Sequence, residues 1–575
     1  MSEGIPTIVK WGKETIELKL VPANGVKALK VELEERTGVP VERMKLMSKS
    51  KGLWKGVLKD DFDMTSIDAS KLKLPLQMLL MGSATKLVAP KTKTVFIEDL
   101  PPEEVAKHAP EPAGLVNLGN TCYLNSVVQC MRSIPQLRSG LRAYVPPPRS
   151  ANSLAAGTAS SSPLLLSSLR DLFESLDRTT NAVPPSNFVM ATKIAFPQFA
   201  QTGPRGQPMQ QDAEEFYSNL LTVAGGEMRG NCLTAGLTGG QSAASAPTPE
   251  ELDGAENLAD ALFGMKMEET LTCDEFSSAE TAAAASSDAM DIDNNTALVE
   301  PPVTSYDLHR KLVCNIQGGS DASAQVNVNH LSEGIALSLS GKITKHSEIL
   351  NRDAVWTRTQ RIARLPPVIV VQFGRFYWKA TPDSQDHAGV KCKVMKPVAF
   401  NGTFDVYEFC NEKIQKVLKK SRDAAAQEEE DRIARKLKGE DEDEKMDTSE
   451  AAGEEEDDEE AAEMKAALAM SLQTEEETNE AVGPGLPANF QGQYELFAVV
   501  THKGRDADGG HYMGWVKAEK QNDDAQKIAD TDEMNDDWFV FDDDEVSPCK
   551  TEDVLKLKGG GDWHMSYLNF YRAKK

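Results

Sequence analysis

Between residues 5 and 82 the spacing of apolar positions changes twice. Thr7-Ile8-Val9 and the alternating Ile16, Leu18 and Leu20 predict two strands, and Asn24-Gly25 opens the next element. Val26, Leu29 and Leu33 then recur at helical spacing, and Gly38 with Pro40 beyond it supplies the stop. Met44 to Met47 and Leu76 to Met81 return to strand. From about residue 113 the chain is helical first and strand-like later. Leu165, Leu169, Leu172, Phe173 and Leu176 mark a helix, and Val368 to Phe373 a buried strand behind Pro366-Pro367. Tyr494, Leu496, Ala498 and Val500 alternate as a strand, and Tyr567 to Tyr571 closes the pattern. The expectation is an α+β chain with a small domain over residues 1–83 and a large one over 113–573.

Several stretches break the periodicity. Residues 84–112 read as a linker. Residues 146–163 are rich in Pro, Ser and Ala, and 237–258 and 277–302 in Ala, Ser and Thr, the latter two taken as one low-complexity insertion over 237–302. Residues 421–490 form a charged tract. Such segments bury too little apolar surface to offset the entropy of ordering, so they read as loops or insertions.

The net charge of −26 over 575 residues is concentrated rather than spread. Residues 421–480 hold 24 Asp and Glu against 7 Lys and Arg, residues 521–550 hold 11 against 2, and the remainder balances. A nucleic-acid binder would carry a basic stripe, so that class is disfavoured. No apolar stretch approaches the ~18 residues of a membrane span and no secretory leader opens the chain, so a soluble intracellular protein is expected. Eight scattered cysteines without a Cys-x-x-Cys pair fit neither a disulfide framework nor a zinc ribbon. A reduced cysteine with a role must find it in its own neighbourhood.

One cysteine has such a neighbourhood. After Cys122 the apolar Leu124, Val127, Val128 and Met131 lie on one helical face, with Asn120 or Thr121 as a natural cap. Cys122 then sits in the first turn, where free N–H groups and the helix dipole favour a thiolate. Cys130, two turns on, reads as core. Farther along, Gly509-Gly510 precedes His511 at the start of a returning strand, and Trp538 to Phe541 delivers Asp542, Asp543 and Asp544 at a strand end. A carboxylate bonded to one imidazole nitrogen leaves the other to take a thiol proton. Cys, His and Asp in that order form the constellation of a papain-like thiol hydrolase.

Four separated segments carry a family resemblance. Gly114 to Asn125, Gln210-Gln211-Asp212-Ala213-Glu214-Glu215-Phe216, Leu365-Pro366-Pro367-Val368 with Arg375-Phe376, and Gly510-His511-Tyr512 resemble, in order, the boxes of the ubiquitin-specific proteases. The order strand, strand, helix, strand, strand at the front is similar to the β-grasp fold of ubiquitin, and the two together resemble the proteasome-associated branch of the family. The resemblance implies a palm, thumb and fingers domain that cleaves after the C-terminal glycine of ubiquitin. It makes Cys122 the nucleophile, His511 the base and then acid, Asn117 an oxyanion donor, and Gln211 and Asp212 contacts for the ubiquitin tail. On residues alone, Asn117 also fits a turn asparagine bonded to local backbone. Asp543 and Asp544 compete with Asp542 for the orienting role; the resemblance favours Asp542, the residue right after the aromatic. It further implies docking to the proteasome through residues 1–83, a loop at Lys503 to Gly510 that restrains the free enzyme, and a monomer in cytoplasm and nucleus. No cofactor is called for. The fingers region offers only isolated Cys273, Cys314 and Cys392, so no structural zinc is expected. The alternative is a catalytically silent scaffold for ubiquitin and the proteasome, against which the presence of all three catalytic residue types argues.

Within the acidic tract, Met464, Ala467, Leu468, Ser471 and Leu472 form a narrow apolar stripe between acidic runs. That pattern over 459–476 resembles a ubiquitin-interacting motif, with Ala467, Leu468 and Ser471 at the contact. A solvated acidic linker with incidental helicity fits the same residues.

Overall fold

The computed structural model describes residues 4–82, 111–147, 161–239, 252–276, 300–317, 327–380, 389–438, 482–518 and 536–574, apart from 13, 51–52, 68–71, 204, 488 and 506–508. They fall into two compact units, Met1–Phe96 and Ile97–Lys575. Most of the expected linker and the candidate helix at 459–476 lie outside the described residues.

The first unit contains β1 (Ile5–Trp11), β2 (Glu14–Leu20), α1 (Gly25–Thr37), β3 (Lys45–Ser48) and β4 (Leu76–Met81). The sheet order is β2-β1-β4-β3, with β1 and β4 parallel and the other pairs antiparallel. Gly38 ends the helix at φ 67°, and its N–H donates to the Glu34 carbonyl. A residue with a side chain would be strained there. Val26, Leu29 and Leu33 pack on Val9, Leu46, Met78 and Leu80, which places the one helix across a mixed sheet as in a β-grasp domain.

The second unit opens with helices: α2 (Cys122–Arg132), α3 (Pro135–Arg142), α4 (Ser162–Asp177), α5 (Ser186–Ala195), α6 (Ala213–Glu227), α7 (Asn231–Leu237) and α8 (Leu258–Phe263). Strands follow as β5 (Met265–Cys273), β6 (Val303–His309) and β7 (Leu312–Cys314), then α9 (Leu331–Ser338), β8 (Ser340–Ser347), β9 (Arg352–Arg364) and β10 (Val368–Phe373). The hairpin β11 (Phe376–Ala380) and β12 (Gly389–Lys393), strand β13 (Thr403–Asp405) and α10 (Glu412–Lys438) come next. The unit ends with β14 (Gln493–Lys503), β15 (His511–Lys517), β16 (Asp537–Asp542), β17 (Glu545–Lys550), α11 (Thr551–Leu555) and β18 (Met565–Ala573).

The main sheet runs β17-β16-β15-β14-β18-β10-β7, with β13 added on β14. Its two faces enter different cores. Phe497, Ala498, Val500 and Phe570 join α2 to α8 on one side; Leu496, Val499 and Tyr571 join β7, α9 and the start of α10 on the other. Burial on both faces explains why β14 departs from the expected alternation, since Phe497 and Val499 are as buried as Leu496 and Val500. Buried Arg375 ties the sheet to its surroundings, donating to the carbonyls of Ser566, Val394, Lys396 and Lys558. Among the described residues no helix is long and apolar enough to cross a membrane.

Two expected boundaries are corrected. The insertion placed at 237–302 contains α8 and β5, whose Leu258, Leu262, Phe263, Met265 and Met267 are wholly buried. The apolar run between two small-residue stretches belongs to the core. The acidic tract placed at 421–490 begins inside α10, a helix of 27 residues of which Ile414 and Leu418 are buried, and ends folded. Val482 and Phe490 are buried, Leu365 N donates to Val482 O at 3.0 Å, and a Cβ at Gly483 would lie 1.8 Å from Leu365 O.

A second, four-stranded antiparallel sheet has the order β6-β5-β9-β8. Cys273, Cys314 and Cys392 lie on β5, β7 and β12, in three different sheets. The far end of the second sheet is filled by Leu271, Cys273, Ala354 and Trp356, and the Trp356 indole donates to Lys345 O at 3.1 Å. Burying a tryptophan of this kind contributes several kcal/mol, on the order of the 3–5 kcal/mol lost on truncation to alanine.

Candidate active site

Three elements converge around Cys122. Helix α2 is buried along most of its length and lies on β15 at Gly514, where an added Cβ would come within 3.1 Å of Ser126 O. Any larger residue there would push the helix backbone away by a few tenths of an ångström. Cys122 opens the helix and is 3% exposed. The cap differs from expectation. Thr121 occupies the N-cap position, but its hydroxyl faces back into the loop, accepting from Leu118 N at 3.0 Å. No side chain caps the first turn; Leu124 N and Asn125 N donate to Thr121 O, and the N–H groups of Cys122 and Tyr123 keep their capacity for a developing anion.

His511, the first residue of β15, donates from Nε2 to Asp542 Oδ1 at 2.5 Å and hydrogen-bonds Cys122. The partnership with Cys122 first, and with Asp542 second, outweighs burial and raises His511 from its ordinary 6.5 to about 9. His511 is therefore an imidazolium at neutral pH, beside the Cys122 thiol. His564 lies on the far side, its ring 6.4 Å from that of His511, with Nδ1 against the Thr501 hydroxyl at 3.1 Å. Burial holds His564 down at about 4, so it is neutral beside the His511 cation.

The three successive aspartates do different things. Asp542 faces His511. Asp543, at φ 54°, is 9% exposed and turns the other way. Its Oδ1 accepts from Asn125 Nδ2 and its Oδ2 from Asn117 Nδ2, each at 2.8 Å, and its carbonyl accepts from Leu115 N at 2.8 Å. Gly114 has no room for a side chain because a Cβ would lie 2.6 Å from Asp544 O and 2.7 Å from Asp543 O. The carboxylate after the one that holds the histidine therefore locks the loop that holds the cysteine. Donor atoms of His511, Asp542 and Asp543 lie within 4.8 Å of one another, a grouping these hydrogen bonds account for.

Asn117 has both the local role and an unused capacity. Its Oδ1 accepts from Gly119 N at 2.9 Å and Thr121 N at 3.2 Å, which shapes the loop. Its Nδ2 carries two hydrogens, of which Asp543 takes one. Gln211 donates to Met209 O at 3.4 Å. Asp212 caps α6, accepting from Glu214 N at 2.8 Å and from the Tyr567 hydroxyl at 2.7 Å, with Lys391 Nζ 3.9 Å from its other oxygen. Ala467, Leu468 and Ser471 lie outside the described residues. Gln210 and Asn125 were not singled out from the sequence. Gln210 Nε2 stands 4.0 Å from Cys122 Sγ, and its position inside the quoted Gln210 to Phe216 segment was the available signal. Cys130 is fully buried among apolar groups, its thiol pushed up by that burial, and has no place in the site.

A thiol, an imidazole and a carboxylate in hydrogen-bonded series, with amide donors beside the sulfur, can transfer an acyl group to cysteine and then to water. A family model described as ubiquitin carboxyl-terminal hydrolase matches residues 113–571, from the loop before Cys122 into β18. The chain belongs to that family. It is accordingly a thiol-dependent deubiquitinating protease. Ubiquitin carboxyl-terminal hydrolase 6 of Arabidopsis thaliana is 34% identical over 582 residues, covering 99% of both chains. Ubiquitin carboxyl-terminal hydrolase 6 of Schizosaccharomyces pombe is 28% identical over 99% of both, and ubiquitin carboxyl-terminal hydrolase 14 of Caenorhabditis elegans 25% over 98% of this chain and 93% of the relative. These similarities run through the β-grasp unit as well as the hydrolase unit.

Proposed function

We propose that this hydrolase trims ubiquitin from substrates held at the proteasome, with Cys122 as nucleophile, His511 as proton carrier and Asp542 as its orienting partner. The observation that carries the chemistry is the series Cys122, His511, Asp542: His511 Nε2 is held by Asp542 at 2.5 Å, which leaves Nδ1 free for the thiol. Cys122 sulfur attacks the carbonyl carbon of the terminal glycine of ubiquitin. The oxyanion is met by the Gln210 amide, the second hydrogen of Asn117 Nδ2 and the uncapped first turn of α2. Imidazolium His511 gives its proton to the leaving lysine amine, which departs and leaves a thioester. The neutral imidazole then takes a proton from water, hydroxide adds to the thioester carbonyl, and Cys122 leaves as the ubiquitin carboxylate forms.

Asp212 is fixed by its two Oδ1 contacts, so its other oxygen is presented without an ordering cost. An arginine of the ubiquitin tail replaces the 3.9 Å Lys391 contact there, and Gln211 lies alongside. Docking falls to the outer face of the first unit's sheet, where exposed Met81 and part-buried Met47 and Leu79 adjoin Lys10 and Lys45. The protein works as a monomer in cytoplasm and nucleus, wherever proteasomes are.

The test is hydrolysis of a ubiquitin–fluorophore conjugate, with and without proteasome, by the full chain and by Cys122→Ala. Turnover that rises on adding proteasome and is abolished in the variant supports the reading. Failure of a ubiquitin C-terminal electrophile to label Cys122, even with proteasome present, would overturn it in favour of the scaffold.

A further inference from the structure

Lys393, the last residue of β12, has no part in the series just described, yet its ammonium reaches into the end of the strand pair that carries His511. Nζ lies 2.6 Å from His502 Nδ1, 2.7 Å from Gly504 O and 3.1 Å from His502 O. Three acceptors use the three hydrogens of an ammonium, and all three are neutral groups. His502 is 1% exposed, set against the rings of Phe376 at 5.2 Å and Tyr512 at 4.6 Å. Its Nε2 lies 3.1 Å from Gly509 O, so it donates there while Nδ1 accepts from Lys393. Only the neutral ring does both. Burial, reinforced by the charge of Lys393, holds His502 at about 3, and burial holds Lys393 at about 7.

The two bonded carbonyls, Gly504 and Gly509, stand on opposite stems of the turn between β14 and β15. Lys503 opposite His511 is the last register pair before that turn. Gly504 and Gly510 have φ of 104° and 116°, and a Cβ at Gly510 would sit 2.2 Å from Lys503 O and 2.7 Å from His502 Nε2. The backbone directly before His511 thus rests on the ring of His502, whose orientation Lys393 sets.

Resting on the assignment of His511 as proton carrier, we propose that Lys393 is a positioning residue: through His502 it fixes both stems of this turn and so the direction in which His511 faces Cys122. A buried lysine is a costly way to fill space, and an apolar side chain of equal length would pack there without desolvating a charge. The cost is offset if the three hydrogen bonds hold geometry that turnover needs.

Lys393→Met keeps the length and removes the donors; Lys393→Arg keeps donors and charge. In Lys393→Met of the full chain we expect kcat on ubiquitin–fluorophore to fall about 10- to 100-fold with KM changed less than about 3-fold, since misplacing a reacting group by ~1 Å costs that much. Iodoacetamide alkylation of Cys122, followed on its peptide by mass spectrometry, should require higher pH because the imidazolium no longer faces the sulfur. Amide exchange over 502–511 should accelerate about 10-fold or more. Lys393→Arg should recover most of each loss. His502→Leu cuts the same link from the other side and stands in if Lys393→Met does not fold. Unchanged alkylation and exchange in a folded variant overturn the proposal, and so does faster exchange with kcat and the alkylation profile unmoved, which makes Lys393 structural only. Alkylation and exchange need no ubiquitin, so they judge Lys393 separately from the deubiquitinase reading, which the electrophile test judges.

Discussion

On the cysteine side of the cleft, the loop before Cys122 is held by hydrogen bonds that arrive from many directions: Asp543 takes the amides of Asn117 and Asn125, Asn117 takes Gly119 N and Thr121 N, and Asn120 donates to Pro208 O at 2.8 Å. On the histidine side, the turn before His511 contains two glycines at positive φ and hangs on Lys393 and His502. Cys122 sits behind a loop braced by several side chains, whereas His511 follows a turn whose described stems are held by Lys393, His502 and the Arg505–Asp562 ion pair. The two walls of the cleft are thus held by different kinds of contact, the histidine wall by a set that includes the ammonium of Lys393. That is the wall on which the resemblance locates the restraining loop.

The comparison can be broken from either side. Cys122→Ala should lower hydrolysis by on the order of 10⁴-fold or more without altering thermal unfolding, measured with ubiquitin–fluorophore. Asp542→Asn should lower kcat by roughly 10²- to 10⁴-fold. It should also move a pH limit. His511 is raised to about 9, so kcat/KM is expected to hold through neutral pH and fall as pH rises through about 9, where the proton for the leaving amine is lost. Removing one of the two raising partners brings that limb down toward 6.5. The stability that His511 contributes follows the same sign: complete below 6.5 and lost as pH rises through about 9. Asp543→Ala sharpens the contrast between neighbours. It should lower stability by about 2–3 kcal/mol, since two amides lose a buried anionic acceptor, and leave the alkaline limb where it was. Gln210→Ala is the mildest, about 10- to 100-fold in kcat with KM nearly constant if its amide meets the oxyanion. A change confined to KM would assign it to binding instead.

That Cys122, His511 and Asp542 would meet was legible because each sits in a local pattern: a helix start for Cys122, a glycine-led strand for His511, a strand end for Asp542. The strands and the one helix of the small unit, with its stop at Gly38, were legible for the same reason. The division of labour between Asp542 and Asp543 was not, since it turns on the positive φ of Asp543, which sends adjacent carboxylates to opposite walls. Lys393 was invisible because its partners lie 109 and 111 residues away. The core segment within 237–302 was hidden by composition: Ala, Ser and Thr on both sides masked a run that packs fully.

Strand β18 lies between β14 and β10, in the middle of the main sheet, and is the last strand of the chain to be synthesised. Asn117 and Asp543 meet across 426 residues. A growing chain therefore presents Cys122 early, for most of its synthesis without histidine, aspartate or the brace on its loop. The sheet around β14 is incomplete until β18 has been made, so the parts of the site come together only after that strand is available. Loss of β18 should therefore return the thiol to that unarmed state, with its helix still formed and its partners unplaced.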